Sequence, residues 1–282
     1  LTDIKIIADS IGENGQRLTT MQLKFHRFVL SEFNTHRVFS RNASSSRAIP
    51  VQTLMKRMKE DPAIPVKWGK NQKGMQAGEF YTIEEALEIE KDWLKLRDMV
   101  MDYVQTVFLD KWDLHKQIAN RPLESWMWSY VVVTATQWNN FMNLRCHPDA
   151  QPEIEALAQK MRLAYDTSVP RRICATDWHL PYILQEDEEE AWDRAKNVPL
   201  VARDLLLKVS TARCARVSYK THDGFRPSFE KDVELHDHLI YSGHMSPTEH
   251  AAQFMDDWQF YGNFRGFRQY RKLIPNEDVF RG

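Results

Sequence analysis

Residues 4–8 are apolar around a single charge at Lys5, and residues 12–15 carry two glycines. Residues 18–25 then place Leu18, Met21, Leu23 and Phe25 at partly alternating positions. Alternation on both sides of a glycine turn predicts a two-stranded hairpin. Residues 28–39 read as a short helix feeding a polar loop over 40–47, which Pro50 closes. Between 60 and 80 the periodicity lapses, and Pro62, Pro65, Gly69, Gly74 and Gly78 surround Trp68. A connection of that length in a compact protein points to a lid or binding segment rather than filler.

Helical period returns at Thr82. Thr82 and Glu85 have the spacing of a capping box, and Leu87, Leu94, Val100, Val104 and Phe108 carry the period to about Trp112. Residues 114–121 predict another short helix, stopped by Pro122. The β-branched and aromatic run 126–136 fits a strand or a buried helix, and its β-branched content favours an extended strand leading into a helix at Asn139. Residues 152–166 are strongly amphipathic, with Ile154, Leu157, Met161 and Ala164 on one face and Pro152 in the first turn. The acidic run 185–190 reads as a solvated helix start. Helices are also expected over 201–209 and 228–241, the latter ended by Gly243. Ser246-Pro247-Thr248-Glu249 has the form of a second capping box. With no repeat, low-complexity tract or linker, one domain over residues 1–282 is expected.

Composition narrows the class. The chain has 282 residues, of which 43% are hydrophobic and 27% charged, enough apolar surface to bury a sizeable core. A net charge of −1 leaves no global basic field for a nucleic acid polymer. Any anion site must therefore be a local arginine cluster. No apolar run nears the ~20 residues of a membrane span, and residues 1–10 do not read as a signal peptide. Cys146, Cys174 and Cys214 form no C-x-x-C pair, and their odd number argues against a disulfide framework. These features predict a cytoplasmic protein with neither a membrane nor a nucleic acid polymer as partner.

The densest polar cluster is His36, Arg37, Ser40, Arg41, Asn42, Ser44, Ser45, Ser46 and Arg47. Forked guanidinium donors flanking consecutive serines suit a phosphate; a solvated arginine–serine loop is the alternative. Asn139, Asn140, Asn143, Arg145, His147, Asp149 and Gln151 form an amide-rich cluster. Its mixed donors and acceptors match the edge of a nucleobase or flavin, or else cap helices. His115, Lys116, Gln117, Asn120 and Arg121 make a polar run with Gln117 and Arg121 on one helix face. His236, His238, His244 and His250 with Glu249 invite a zinc reading, but their spacing gives no compact ligand set, so no metal is expected. The motifs G-x-S-x-G, H-E-x-x-H and G-x-G-x-x-G are absent from the sequence, which removes support for serine hydrolase, zincin and Rossmann readings.

The stretch from Thr35 through His36-Arg37-Val38-Phe39-Ser40-Arg41-Asn42-Ala43-Ser44-Ser45-Ser46 to Arg47 resembles the signature of flavin-dependent thymidylate synthases, R-H-R-x-x-S-x-N-x-x-S-x-R. Twelve of its thirteen positions are compatible, and Thr35 replaces the first arginine. Asn140-Phe141-Met142-Asn143-Leu144-Arg145, followed by Ala150-Gln151 and Glu153-Ile154, is similar to a second block of that family. Ala212-Arg213-Cys214-Ala215-Arg216-Val217-Ser218-Tyr219, followed by His244-Met245-Ser246-Pro247-Thr248-Glu249-His250, is similar to a third. In the family's common form the third block precedes the arginine signature; here it follows. The chain therefore resembles a circularly permuted, bacteriophage-type member, as is feasible where chain ends lie close together.

The resemblance implies an α+β fold, a twisted and mainly antiparallel sheet with packed helices, in a homotetramer whose sites form between subunits. It implies methyl transfer from methylenetetrahydrofolate to C5 of dUMP, giving dTMP, with FAD as cofactor and NADPH as reductant. No enzyme cysteine attacks the pyrimidine in this family. By the same resemblance, Ser45, Ser46 and Arg47 cradle the nucleotide phosphate, with Arg121 or its neighbour Asn120 beside them. Arg145 faces the pyrimidine and stabilises charge developing on a ring oxygen. His36, Arg37, Asn42, Asn140, Ser218 and Ser246 contact FAD, and His244 lies near the folate or nicotinamide, so that Arg145 and His244 are the implied catalytic residues. Three positions depart from the family's pattern. Thr35 removes a cation, Glu32 stands where an amide is usual, and Asp149 stands where a flavin-contacting histidine is common. The competing readings are an enzyme that acts on dCMP or leaves a hydroxymethyl group, and a flavin- or nucleotide-binding homologue without turnover. A phage-encoded member would work in the host cytoplasm.

Overall fold

The computed structural model describes residues 1–218, 228–275 and 277–279. Strands β1 (Asp3–Gly12) and β2 (Arg17–His26) form the expected antiparallel hairpin. A 3-10 turn, Arg27–Val29, and the single turn α1 (Leu30–Phe33) come next. The helix expected over 28–39 therefore ends before His36. Thr35 closes it, because its N–H and its hydroxyl both donate to the Glu32 carbonyl, the local competition that ends helices. The expected polar loop begins instead as strand β3 (Ser40–Ala43), which pairs antiparallel with β4 (Trp128–Ala135). The full sheet has the order β3-β4-β2-β1-β5, with β5 (Arg171–Ile173) running parallel to β1.

Side chains alternate across this sheet. Met21, Leu23 and Phe25 of β2 and Val131, Val133 and Ala135 of β4 share one face. They pack with Phe33 and Phe39, with Phe141 of α5 (Asn139–Arg145), and with Ile154, Leu157 and Met161 of α6 (Pro152–Thr167). Each large side chain so buried contributes about 1.5–3 kcal/mol. The opposite face carries Leu18, Thr20, Val132 and Thr134 beneath the second half of the chain. There a hydrogen-bonded row runs from Ser10 Oγ to His179 Nδ1 (2.9 Å), from His179 Nε2 to Thr20 Oγ1 (2.8 Å), on to Thr134 Oγ1 (2.7 Å), and finally to His250 Nδ1 (2.8 Å). Burial pushes both imidazoles down to about 3.

Helix α2 (Val51–Glu60) precedes a segment whose regular pairing is a Gly69–Phe80 bridge. The expected capping box of Thr82 and Glu85 opens α3 (Ile83–Tyr103), which continues as a π-helix over Val104–Lys111. Helix α4 (Lys116–Ala119) is a single turn, and Pro122 lies in the first turn of a 3-10 segment, Arg121–Trp126, rather than ending the structure there.

The second half supplies β6 (Trp178–His179), α7 (Gln185–Arg194), α8 (Pro199–Ala215) and α9 (Phe229–Tyr241). Gly243, at φ +76, takes the left-handed conformation just past α9. Strand β7 (Ala252–Phe254) lies between β6 and β10 (Phe267–Gln269), while β8 (Phe260–Tyr261) and β9 (Phe264–Arg265) form a small hairpin. Phe254 reaches back to β1, where Gly12 admits its ring: a Cβ there would sit 2.1 Å from Phe254 Cζ. Ser246–Glu249 is a 3-10 turn with Met245 at its N-cap and no side-chain cap bond. The capping box expected there does not form, since Arg271 takes the Glu249 carboxylate at 2.6 Å. Among the described residues no helix is long and apolar enough to cross a membrane.

Candidate functional site

His36 lies in the turn between α1 and β3. Its carbonyl accepts from Arg41 Nη1 at 2.7 Å, and its ring packs against Phe39 and Phe141 with only 7% of the residue exposed. Burial above all, and then the Arg145 and Arg41 guanidinium groups, lower its pKa to about 4. The imidazole is thus neutral at pH 7, and its Nε2 accepts from Arg145 Nε at 3.1 Å, which leaves the ring proton on Nδ1. Arg145 also meets Glu32 through Nη1 and Oε2 at 3.5 Å. This small cluster joins the second block to the arginine signature. Arg145 and Glu32 line a cleft of about 810 Å³ that Trp68, Phe80, Trp93 and Asp149 also border. The segment expected to be a lid or binding segment supplies Trp68 and Phe80. It is tied down by Val66 N–H donating to Glu153 Oε1 (2.8 Å) and by Gln76 Nε2 donating to the Asp149 carbonyl (3.0 Å).

A second cluster forms around Ser46. Its buried hydroxyl donates to Glu124 Oε1 at 2.8 Å, and the fully buried Asn120 donates through Nδ2 to the carbonyls of Ser46 and Ile49. Arg121 Nη1 donates to Glu124 at 2.8 Å, and Arg27 Nε lies 3.5 Å away. Burial would raise the Glu124 pKa, but the Ser46 hydroxyl and the two guanidinium groups outweigh it and hold the carboxyl below its ordinary range. Ser46 and Asn120 thus shape the turn. Ser45 is its N-cap, and Arg47 projects outward without an ion pair among the described residues. No hydrogen bond, ion pair or ring contact among the described residues joins this cluster to Arg145.

The third block reaches the same strand from the far end of the chain. The 3-10 turn Arg216–Ser218 lies against β3 and β4, and the turn Ser246–Glu249 lies against β3. Ser218 ends its turn; its side chain, like Tyr219, lies outside the described residues. Ser246 and His244 are exposed, and His244 Nδ1 shares a 2.9 Å hydrogen bond with Ser242 Oγ rather than meeting Arg145. Arg37 and Asn140 are exposed, whereas Asn42 on β3 is nearly buried. Among the described residues no three His, Cys, Asp or Glu side chains gather as a metal site.

Sequence reasoning passed over the partners of Ser40. Gln269 Nε2 donates to Ser40 Oγ (2.8 Å) and to the Glu249 carbonyl (3.0 Å), and Asn263 Nδ2 donates to Ser40 Oγ at 3.2 Å. Their signal was a run at residues 262–271 with arginines at every third position, Arg265, Arg268 and Arg271.

The profile of the thymidylate synthase complementing protein family, Thy1, matches residues 16–171, which is more than half of the chain. The third block lies outside that range. Among curated proteins none matches. Thymidylate synthase X from Helicobacter pylori, solved with FAD and dUMP, is 16% identical at a TM-score of 0.36, over 52% of this chain and 67% of that one. A UMP/dUMP methylase, PolB from Streptomyces cacaoi, solved with 5-Br dUMP, is 13% identical at a TM-score of 0.46, over 58% of this chain and 90% of that one.

Proposed function

Because the chain belongs to the thymidylate synthase complementing protein family, we propose that it methylates C5 of dUMP to give dTMP, with FAD as cofactor, methylenetetrahydrofolate as carbon donor and NADPH as reductant. One observation carries the reading. Two blocks that are far apart from the arginine signature in sequence are brought to it: the second through the bond from Arg145 Nε to His36 Nε2, just ahead of β3, and the third through the two turns that lie against β3. The same convergence supports a permuted chain order, since the third block arrives from the C-terminal side.

The residues present fit a flavin dinucleotide. Arg37 is an exposed cation without an ion pair among the described residues, suited to a pyrophosphate. Asn140 and Asn42 offer both donors and acceptors to a ring edge. Bound FAD, once reduced by NADPH, would supply the hydride that completes the methyl group, and the C5 hydrogen would leave as a proton. Arg145, oriented by a neutral His36, meets the charge that develops on the pyrimidine, the role a fixed cation fills best. Arg47 and Ser45 hold the phosphate, and Arg121 joins them when the phosphate competes with Glu124. A FAD titration, followed by incubation with dUMP, methylenetetrahydrofolate and NADPH, tests the reading. Flavin quenching and dTMP by mass spectrometry are expected. Unchanged flavin fluorescence together with no dTMP would end it.

A further inference from the structure

Glu32 is a carboxylate set beside the guanidinium that faces the base. Arg145 Nε is committed to His36 at 3.1 Å, and one Nη1 hydrogen points toward Glu32 Oε2 at 3.5 Å. Among the described residues the remaining Nη hydrogens have no acceptor. Both side chains line the cleft, and the Glu32 carboxylate has no other partner among the described residues. The pair therefore presents one acceptor beside two donors. That order is complementary to the edge of cytosine, in which the N4 amino group donates while N3 and O2 accept. Uracil offers acceptor, donor, acceptor. It satisfies the pair only by turning N3–H toward Glu32, which leaves one carbonyl without a donor, and a carboxylate against O4 would set lone pair against lone pair. An ionised carboxylate cannot rotate to become a donor, whereas an amide at this position could.

We propose that Glu32 is a specificity-determining residue and that the base site takes a cytosine nucleotide, dCMP, at least as well as dUMP. The inference rests on the reading above in one respect, that Arg145 faces the pyrimidine. Sites built to pair one hydrogen-bonding edge discriminate strongly against an edge that leaves a buried group unpaired.

Calorimetric titration of the full-length protein with dCMP and with dUMP tests it, on the wild type, on Glu32→Gln and on Glu155→Gln, a second carboxylate of the same cleft. Because the Glu32 side chain is 38% exposed and the amide is isosteric, the fold should survive. The readout is the ratio of two affinities, which a general loss of structure does not shift. In the wild type dCMP should bind as tightly as dUMP or more tightly. Glu32→Gln should weaken dCMP about tenfold or more relative to dUMP, and Glu155→Gln should leave the ratio alone. Weaker binding of dCMP than dUMP in the wild type, or a ratio that Glu32→Gln does not move, overturns the proposal and leaves dUMP methylation standing. An equal change in Glu155→Gln also overturns it, by assigning the preference to the charge of the cleft as a whole. If neither nucleotide binds, both readings fall together.

Discussion

Arg47 and Arg145 carry the same charge in different surroundings, and their variants should fail differently. Arg47 is exposed beside Ser45 and Ser46, while Arg145 is held by His36 and Glu32. Charge-assisted contacts are worth roughly 1.5–3 kcal/mol, about tenfold or more in affinity. Arg47→Ala should weaken the nucleotide and leave the nucleoside little changed. Arg145→Ala should slow methyl transfer even at saturating nucleotide, because its partner gains charge during reaction. Steady-state kinetics with both ligands checks this; equal damage to nucleoside and nucleotide would remove Arg47 from the phosphate. Acid stability also belongs to single residues. His36, His179 and His250 have folded pKa values of about 4, 3 and 3, below the ~6.5 of an unfolded imidazole. The unfolded chain therefore takes up protons first as pH falls. Stability is complete above about pH 6.5 and declines below it, by about 2 kcal/mol for each imidazole at pH 5. Melting temperatures from pH 7.5 to 4.5 should fall, and less steeply in His36→Asn.

At the scale of elements, Glu153 connects α6 to the segment that borders the cleft. Its two oxygens accept from Val66 N–H and Gln151 Nε2, and the residue is 3% exposed. Glu153→Ala removes the acceptor of the part-buried Val66 N–H bond, at a cost of about 0.5–1.5 kcal/mol. Limited proteolysis should cut first within 62–81 and several-fold faster than in wild type, and unchanged cleavage would mean that the aromatic contacts hold the segment alone. Elements with local causes were legible in the sequence. Helix α3 announces itself through Thr82 and Glu85, and α6 through its apolar stripe and Pro152. Strand β3 was not legible, because its pairing partner lies some ninety residues onward and its buried Ser40 and Asn42 look like loop residues until Gln269 and Asn263 arrive. The candidate site shows the same division. Its residues could be read as a family signature, but Glu124 beneath Ser46 is a tertiary contact without a local pattern.

For the molecule as a whole, the two clusters bear on assembly. No hydrogen bond, ion pair or ring contact among the described residues joins the Ser46 cluster to Arg145, and Arg37, Asn140 and His244 are exposed. A ligand that touches all of them is best completed by a second copy, so we expect a homotetramer with shared sites, about four times the 33.3 kDa of one chain. Sedimentation velocity across a dilution series should show activity falling as the assembly dissociates. A fully active monomer would exclude shared sites.

The buried row from Ser10 to His250 also constrains hydrogens that no heavy-atom position reveals. Each hydroxyl owns one proton, and each neutral imidazole carries one. If His179 held its proton on Nδ1 and His250 on Nε2, Thr20 and Thr134 would both have to donate outward to the rings. Nothing would then remain to bridge the 2.7 Å between the two threonines. That combination is forbidden, so at least one ring must point its N–H into the row, at His179 Nε2 or at His250 Nδ1. The two rings lie seventy-one residues apart in sequence, yet neither chooses its tautomer independently. Nitrogen-15 chemical shifts of the two imidazoles should show this exclusion in the wild type and its loss in Thr20→Val.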